Sequence, residues 1–266
     1  MVSKYTSLIL GPIETAMVAR LTYEKKTIVT VADLDRLFNL APENRKQVVF
    51  RLKKKKILSP IKRGIYAFSP LEAGPEGTGI DELLIPPIFF PEKMYYIGYS
   101  TMYNYYGFTE QLFQTVYVLN TTMRMERVIC GLSYKFMKIS EKRIYGLETI
   151  TVKDTAVKVS SKERTLIDLL YFNNPVGGIA GAVEIFIKIV KNQECDVKKL
   201  TEYASLFPNI SVRKRIGLLL ERIGISDAIL KPLEKSVEKT AISSLAGSRR
   251  GTLNRKWRVI VNDSRE

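Results

Sequence analysis

The chain has 266 residues, of which 45% are hydrophobic and 26% charged, a composition typical of a globular protein with one or two domains. It contains no histidine, which excludes serine–histidine and cysteine–histidine catalysis and histidine-based zinc sites. The two cysteines, Cys130 and Cys195, are far apart, and we expect small, buried, free thiols in a reducing compartment. We expect a cytoplasmic protein, because no apolar run approaches the roughly 18 residues of a membrane span and no secretory signal pattern is visible.

The net charge is +15 and is unevenly distributed. Residues 1–70 hold 14 basic and 5 acidic residues (net +9), residues 71–234 hold 20 and 19 (net +1), and residues 235–266 hold 8 and 3 (net +5). A general preference for lysine would spread this excess along the chain. Its concentration at the two ends favours a polyanionic partner that contacts those segments.

The first 70 residues show the element order of a winged helix-turn-helix. The predicted elements are, in order, a helix from Pro12, a short β-branched stretch at 28–31, a second helix capped by Thr30, a third helix from Pro42, and two strands within 57–68 joined by a turn at 62–64. The domain is predicted to bind DNA by placing its third helix in the major groove and its hairpin on the backbone.

Nine basic residues lie between Arg45 and Arg63 without an intervening acid. If Val48, Val49 and Leu52 face the core, polar and basic side chains occupy the rest of the third helix. Asn, Gln and Arg are suited to base edges, and Lys to phosphates. The predicted DNA-binding residues are Asn44, Arg45, Lys46, Gln47, Arg51, Lys54, Lys55, Lys62 and Arg63. The alternative is a solvated charged helix in a domain that contacts only proteins.

Residues 71–93 are rich in proline and glycine and are predicted to form a linker or surface loop. Residues 94–266 are predicted to form a larger α+β domain. It has a helix around 99–106, a strand at 115–120, alternating short strands within 128–159, helices from 160 onward, and a closing strand at 257–261. The fold class is therefore α+β, with an N-terminal winged helix-turn-helix and a larger mixed C-terminal domain.

The larger region offers few residues for chemistry. Aromatic side chains that stack on the bases of single strands are accompanied by basic residues. Lys93 is the one basic residue near the aromatic cluster between Tyr95 and Phe108. The cluster is therefore interpreted as core packing. Ser160 and Glu163 have capping-box spacing, and Arg164 and Asp168 an i, i+4 ion-pair spacing, so both pairs are interpreted as structural. We expect no catalytic residue, no metal and no cofactor. A second basic contact, or simply a solvated loop, is formed by Arg249, Arg250, Arg255, Lys256 and Arg258.

Several segments in order resemble one family. The segments are TVADLDRLF (30–38), ILSPIKRGIYAF (57–68), YYIGYSTMYNYYGFTEQLFQTVYVLNTT (95–122), VKVSSKERTLIDLL (157–170) and NRKWRVIVN (254–262). Together they resemble the AbiEi-type antitoxins of type IV toxin–antitoxin (abortive infection) systems, which are regulators of viral defence. The resemblance implies a DNA-binding transcription repressor that autoregulates its operon by binding inverted repeats and that counteracts a nucleotidyltransferase-like toxin.

The expected function is thus a non-enzymatic DNA-binding regulator and antitoxin whose partners are double-stranded operator DNA and a nucleotidyltransferase-like toxin. Two alternatives remain open at this point. One is a ligand-responsive winged-helix regulator with a pocket lined by the tyrosines. The other is a metal-dependent nucleic-acid enzyme fused to a winged helix, which requires a carboxylate cluster within residues 94–266.

Overall fold

The structure is a computed structural model that describes residues 9–73, 80–91, 94–245 and 250–261. The fold is α+β. The chain divides into an N-terminal unit, which extends to Ile85 and includes Val128–Leu132, and a C-terminal unit of Pro86–Arg127 and the chain from Ser133 onward. Within the described ranges, no helix has both the length and the apolar character needed to cross a bilayer.

Within its described residues, the N-terminal unit contains three α-helices and a three-stranded antiparallel sheet. The helices are α1 (Pro12–Tyr23), α2 (Val31–Phe38) and α3 (Pro42–Lys54). The strands are β1 (Ile28–Thr30), β2 (Leu58–Lys62) and β3 (Ile65–Phe68), in the spatial order β1-β3-β2. Both the order and the boundaries agree with the elements expected from the sequence.

Local sequence signals position α2 and the hairpin of β2 and β3. At the start of α2, the Asp33 amide donates to Thr30 Oγ1 at 3.0 Å and the Thr30 amide donates to the Asp33 carboxylate at 2.9 Å, which is the predicted capping box. The hairpin turn consists of Arg63 and Gly64, and Gly64 has a φ of +75°. The Gly64 carbonyl accepts a 2.9 Å hydrogen bond from the Val31 amide, which fixes the turn against the start of α2.

From Ile85 onward the chain combines short strands with a helical core, and most of these residues belong to the C-terminal unit. The strands are β4 (Tyr95–Ile97), β5 (Thr115–Asn120), β6 (Met125–Ile129), β7 (Leu132–Lys138), β8 (Leu147–Val152), β9 (Thr155–Ser160), β10 (Ser243–Ser244), β11 (Thr252–Asn254) and β12 (Val259–Val261). The first six follow the order β6-β7-β5-β4-β9-β8, and the last three the order β10-β12-β11. The helices are α4 (Ile85–Phe89), α5 (Ser100–Tyr105), α6 (Lys162–Tyr171), α7 (Gly178–Lys191), α8 (Val197–Leu206), α9 (Ile210–Arg222) and α10 (Asp227–Lys235).

The predicted linker 71–93 is more ordered than expected where the structure describes it. It contains short 3-10 segments at Leu71–Ala73 and Glu82–Leu84, followed by α4. Leu84 and Ile85 are fully buried. The prolines after Ile85 lie in the first turn of α4, where proline is compatible with a helix. The prediction of a linker or surface loop did not include these short helical segments or the burial of Leu84 and Ile85.

Packing between α9 and the C-terminal strands depends on Trp257 and Gly217. Trp257 is fully buried in a turn before β12, so the closing strand is shorter than the predicted 257–261. Its indole N–H donates to the Glu221 carboxylate at 3.0 Å. A Cβ atom added at Gly217 would approach the Trp257 ring to 2.1 Å. The absence of a side chain at Gly217 thus allows the indole to lie against the helix backbone.

Replacing Gly217 with alanine is expected to lower the free energy of unfolding by about 1–3 kcal/mol, because the added methyl group overpacks the Trp257 contact. In an exposed helix the same substitution would be stabilising by about 1 kcal/mol, so the sign of the change tests the packing. Denaturant unfolding measures it. Arg222→Ala, at the exposed end of α9, is the control and should change stability by less than about 0.5 kcal/mol. A stabilised Gly217→Ala variant would contradict this packing.

Candidate nucleic-acid interface

Helix α3 presents one apolar face to the core and one polar face to solvent. Val48, Val49 and Leu52 are at most 7% exposed, as predicted. Since successive residues turn by about 100°, the centre of the opposite face carries Gln47, Phe50 and Lys54, all exposed. Asn44 and Arg51 are also exposed, but they lie at one margin of this face.

At that margin, two basic side chains bond to a buried carboxylate on α1. Glu14 is only 2% exposed, and it accepts hydrogen bonds from Arg51 Nε and Lys55 Nζ. Burial opposes ionisation, but the hydrogen bonds from Lys55 and Arg51 outweigh it and hold the pKa of Glu14 below its ordinary value. Arg51 and Lys55, both predicted to contact DNA directly, therefore have an internal partner. No sequence pattern marks this partner, because Glu14 is 37 residues away from Arg51.

Two further predicted DNA-binding residues are paired with carboxylates. Arg45 bonds to Asp35 on α2, and Lys46 bonds to Glu43 within α3 at 2.9 Å. The Lys46 pair is strongly exposed and contributes little to stability. Among the described residues, four of the nine cations between Arg45 and Arg63 thus pair with the carboxylates of Glu14, Asp35 and Glu43. Their combined charge remains clearly positive.

The remaining cations of this set differ in accessibility. Lys54 and its neighbour Lys53 are exposed, as is Arg63 at the hairpin turn. In the part of the chain that the structure describes, none of these three side chains forms an ion pair. Lys62 is half-buried. Lys54 and Arg63 are therefore the predicted residues whose charge is most available to a ligand.

One residue of the outward face was not predicted. Phe50 is 67% exposed, although it lies in the middle of α3. A shallow open depression of about 460 Å³ beside it is lined by Lys46, Gln47, Phe50 and Arg51. The signal in the sequence was available, because Phe50 is out of phase with the apolar stripe of Val48, Val49 and Leu52.

The second basic set does not form a single exposed patch. Lys256 Nζ bonds to Asp227 at 2.6 Å and to Glu221 at 2.8 Å, and these hydrogen bonds raise its pKa. Arg258 is half-buried. Arg250 and Arg255 are exposed, whereas Arg249 lies outside the described residues. Lys256 therefore has two internal acidic partners, and a second basic contact made by this set stays a prediction.

The aromatic cluster is mainly core, as interpreted from the sequence. Its buried members are Tyr95, Tyr96, Tyr99, Tyr103 and Phe108, while Tyr105 is half exposed. Several hydroxyl groups are engaged within the chain: Tyr103 donates to the Phe172 carbonyl at 3.0 Å and Tyr106 to the Ser160 carbonyl at 2.8 Å. These hydrogen bonds give the tyrosines a structural role.

Arg164 and Asp168 form the predicted i, i+4 pair inside α6, at 3.1 Å and fully buried. Arg164 also donates to the Tyr96 hydroxyl at 2.8 Å and to the Arg143 carbonyl at 2.7 Å. The predicted cap is displaced by one residue. Ser161, not Ser160, caps α6 by accepting from the Arg164 amide, because the Ser160 hydroxyl bonds to Thr165.

The two cysteines are free and half-buried rather than fully buried. Burial raises the pKa of Cys195 to about 11, which keeps its thiol protonated at neutral pH. Among the described residues, no group of three or more histidine, cysteine or carboxylate side chains is arranged to hold a metal ion.

No protein-family model matches the chain, and a search of the curated proteins returned no match. The fold is similar to the crystal structure of the RV2827C protein from Mycobacterium tuberculosis, with a TM-score of 0.64. The similarity covers 95% of this chain and 92% of that one, at 14% sequence identity. Two chains with so little sequence in common thus share one α+β fold over nearly their whole length.

Replacing Glu14 with glutamine is expected to lower the free energy of unfolding at neutral pH by about 1–3 kcal/mol, because two cations lose a buried anionic acceptor. Folding lowers the pKa of Glu14 below its ordinary value of 4.5. The ionised carboxylate therefore stabilises the folded state above pH 4.5, and this stabilisation is lost as the pH falls through the folded-state pKa. The difference between wild type and variant, measured by denaturant unfolding, should therefore shrink in acid.

Glu24→Gln is the matched control for this experiment. Glu24 pairs with Arg20 on the exposed side of α1, and such pairs contribute about 0.5 kcal/mol. Equal losses of stability for Glu14→Gln and Glu24→Gln, or a difference that does not depend on pH, would contradict the role given to Glu14.

Proposed function

We propose that this protein is a DNA-binding transcription repressor and the antitoxin of a type IV toxin–antitoxin system, as its resemblance to AbiEi-type antitoxins implies. One observation carries the DNA-binding part: α3 exposes Gln47 and Lys54 on its outward face, and Arg63 is exposed at the turn of the hairpin. A helix fits the major groove of B-DNA, and a basic hairpin turn is suited to the adjacent phosphates.

The ion pairs divide the predicted residues into two groups. Lys54 and Arg63 are assigned to phosphates, and Asn44 and Gln47 to base edges. Arg45 and Lys55 are held by carboxylates of other helices and contribute mainly to the orientation of α3. Lys46 pairs only within α3 and contributes to the local field. Arg51 bonds to Glu14 through Nε, but its side chain is 47% exposed, so its remaining N–H groups can still donate to DNA.

Binding should depend strongly on salt. We expect the protein to bind the DNA fragment immediately upstream of its own reading frame, with log affinity falling against log salt at a slope of about −5 if six phosphates are contacted. The double variant Lys54→Gln with Arg63→Gln should bind more weakly and give a slope shallower by about 2, one for each cation removed from a phosphate. Titration of the fragment at several salt concentrations measures both.

The matched control is Lys188→Gln with Lys191→Gln. These two lysines are exposed on α7, so the control changes the net charge equally but leaves the proposed interface intact. It should preserve both affinity and slope to within a small general charge effect. If the two double variants bind equally, or if the wild type has no preference for the upstream fragment over unrelated DNA, the assignment of this face is overturned.

The antitoxin part of the proposal rests on the family resemblance. We expect the neighbouring reading frame to encode a nucleotidyltransferase-like protein whose toxicity is relieved when this chain is co-expressed. We also expect a cytoplasmic location, where both DNA and toxin are present. Co-expression can compare the full chain with its DNA-binding variant. Loss of operator binding without loss of protection would separate the two activities.

A further inference from the structure

Phe50 is a large aromatic residue without a place in the core. It is 67% exposed, and it is absent from the cluster of buried residues that forms the N-terminal core. Exposing a phenylalanine ring at the centre of a helix face forgoes the favourable burial that every other apolar residue of α3 obtains. A single exposed apolar side chain is common on protein surfaces, so it is the position of Phe50 that matters: it lies with Gln47 and Lys54 on the outward face of α3, the face that the proposed function places in the major groove.

The side chains around Phe50 limit the kinds of partner that could bind over it. The shallow depression next to the ring is lined by Gln47 and by the cations Lys46 and Arg51, and Lys54 lies one turn further along α3. A partner must therefore offer an apolar group beside hydrogen-bonding groups and negative charge. The major-groove edge of an A·T pair offers a thymine methyl group beside adenine N6 and N7, with phosphates flanking the groove.

We propose that Phe50 is a specificity-determining residue that packs its ring against the 5-methyl group of a thymine, while Gln47, one turn earlier, bonds to an adenine. This inference rests on the proposed DNA-binding function and goes beyond it, because it names the base feature that is recognised. Phenylalanine is suited to the thymine methyl group, and glutamine can make two hydrogen bonds to adenine.

A second copy of this chain fits the surface around Phe50 less well than duplex DNA does. Association about a two-fold axis through Phe50 would bring the same surface of two molecules together. The cations that flank Phe50 in both copies, Lys46, Arg51 and Lys54, would then be brought close to one another, and like charges in contact are repulsive. Duplex DNA instead supplies the opposite charge.

The test uses the DNA fragment upstream of the chain's own reading frame, prepared in two forms. One contains thymine, and the other contains uracil at every thymine position and so lacks only the methyl groups. Wild-type protein should bind the uracil form more weakly, by about fourfold for each methyl group that the ring would cover, which is the factor that burying one methyl group gives. If two half-sites are bound, the affinity should fall about 15-fold.

Phe50→Ala decides whether the ring is the cause. This variant should fold normally, because the side chain is exposed, and unfolding experiments can verify that. It should bind the thymine form as weakly as the wild type binds the uracil form, and it should no longer distinguish the two. Lys54→Gln is the control: it should lose affinity for both forms by the same factor, since a phosphate contact is indifferent to the methyl group.

The failures of the two proposals are distinguishable. If the wild type does not bind the upstream fragment at all, the proposed function fails. If it binds both forms equally, or if Phe50→Ala retains the full preference for thymine, this inference fails while the proposed function stands. If Phe50→Ala changes the oligomeric state measured by sedimentation without changing the preference for thymine, the ring is a protein contact and the inference is overturned.

Discussion

The N-terminal unit depends on the carboxylate of Glu14. An ionised carboxylate at 2% exposure is costly to bury unless it is paired and hydrogen-bonded. Arg51 and Lys55, one turn apart along the chain at the end of α3, donate two hydrogen bonds to it, and the Gly11 amide donates a third at 3.3 Å. The contact therefore fixes the rotation of α3 about its own axis relative to α1. Because those two residues are drawn towards α1, the middle of the opposite face is left to other side chains.

The C-terminal unit uses the same physical solution at a deeper position. Asp168 accepts hydrogen bonds from Arg164 and, at 3.5 Å, from Arg143, and both guanidinium groups lie over aromatic rings. Arg164 also binds carbonyl groups of the segment before β8. A buried charge thus ties α6 to the loop that precedes β8. In both units a buried acid accepts hydrogen bonds from two basic side chains and so orients them.

How far the sequence predicted this structure depended on the range of the interactions. The capping box of Thr30 and Asp33 and the apolar stripe of α3 are local patterns, and both were correct. The pairing of Glu14 with Arg51 could not be predicted, because it joins residues 37 positions apart and no periodic pattern marks it. The same applies to Lys256 and Glu221. Phe50, in contrast, was missed despite a local signal, since its phase on α3 places it outside the apolar stripe.

The internal ion pairs also affect how the proposed interface would discriminate between sequences. Phosphate contacts give affinity for any DNA, and each available cation strengthens non-specific as well as specific binding. Holding Arg45 and Lys55 against carboxylates would reduce that general affinity. The proposed contribution of Gln47 and Phe50, which would depend on the bases, is left unchanged. For a repressor that must find one operator among many competing sites, the ratio of specific to non-specific affinity matters more than affinity itself. A basic helix whose cations are partly neutralised from within, with an apolar ring at its centre, is suited to that requirement.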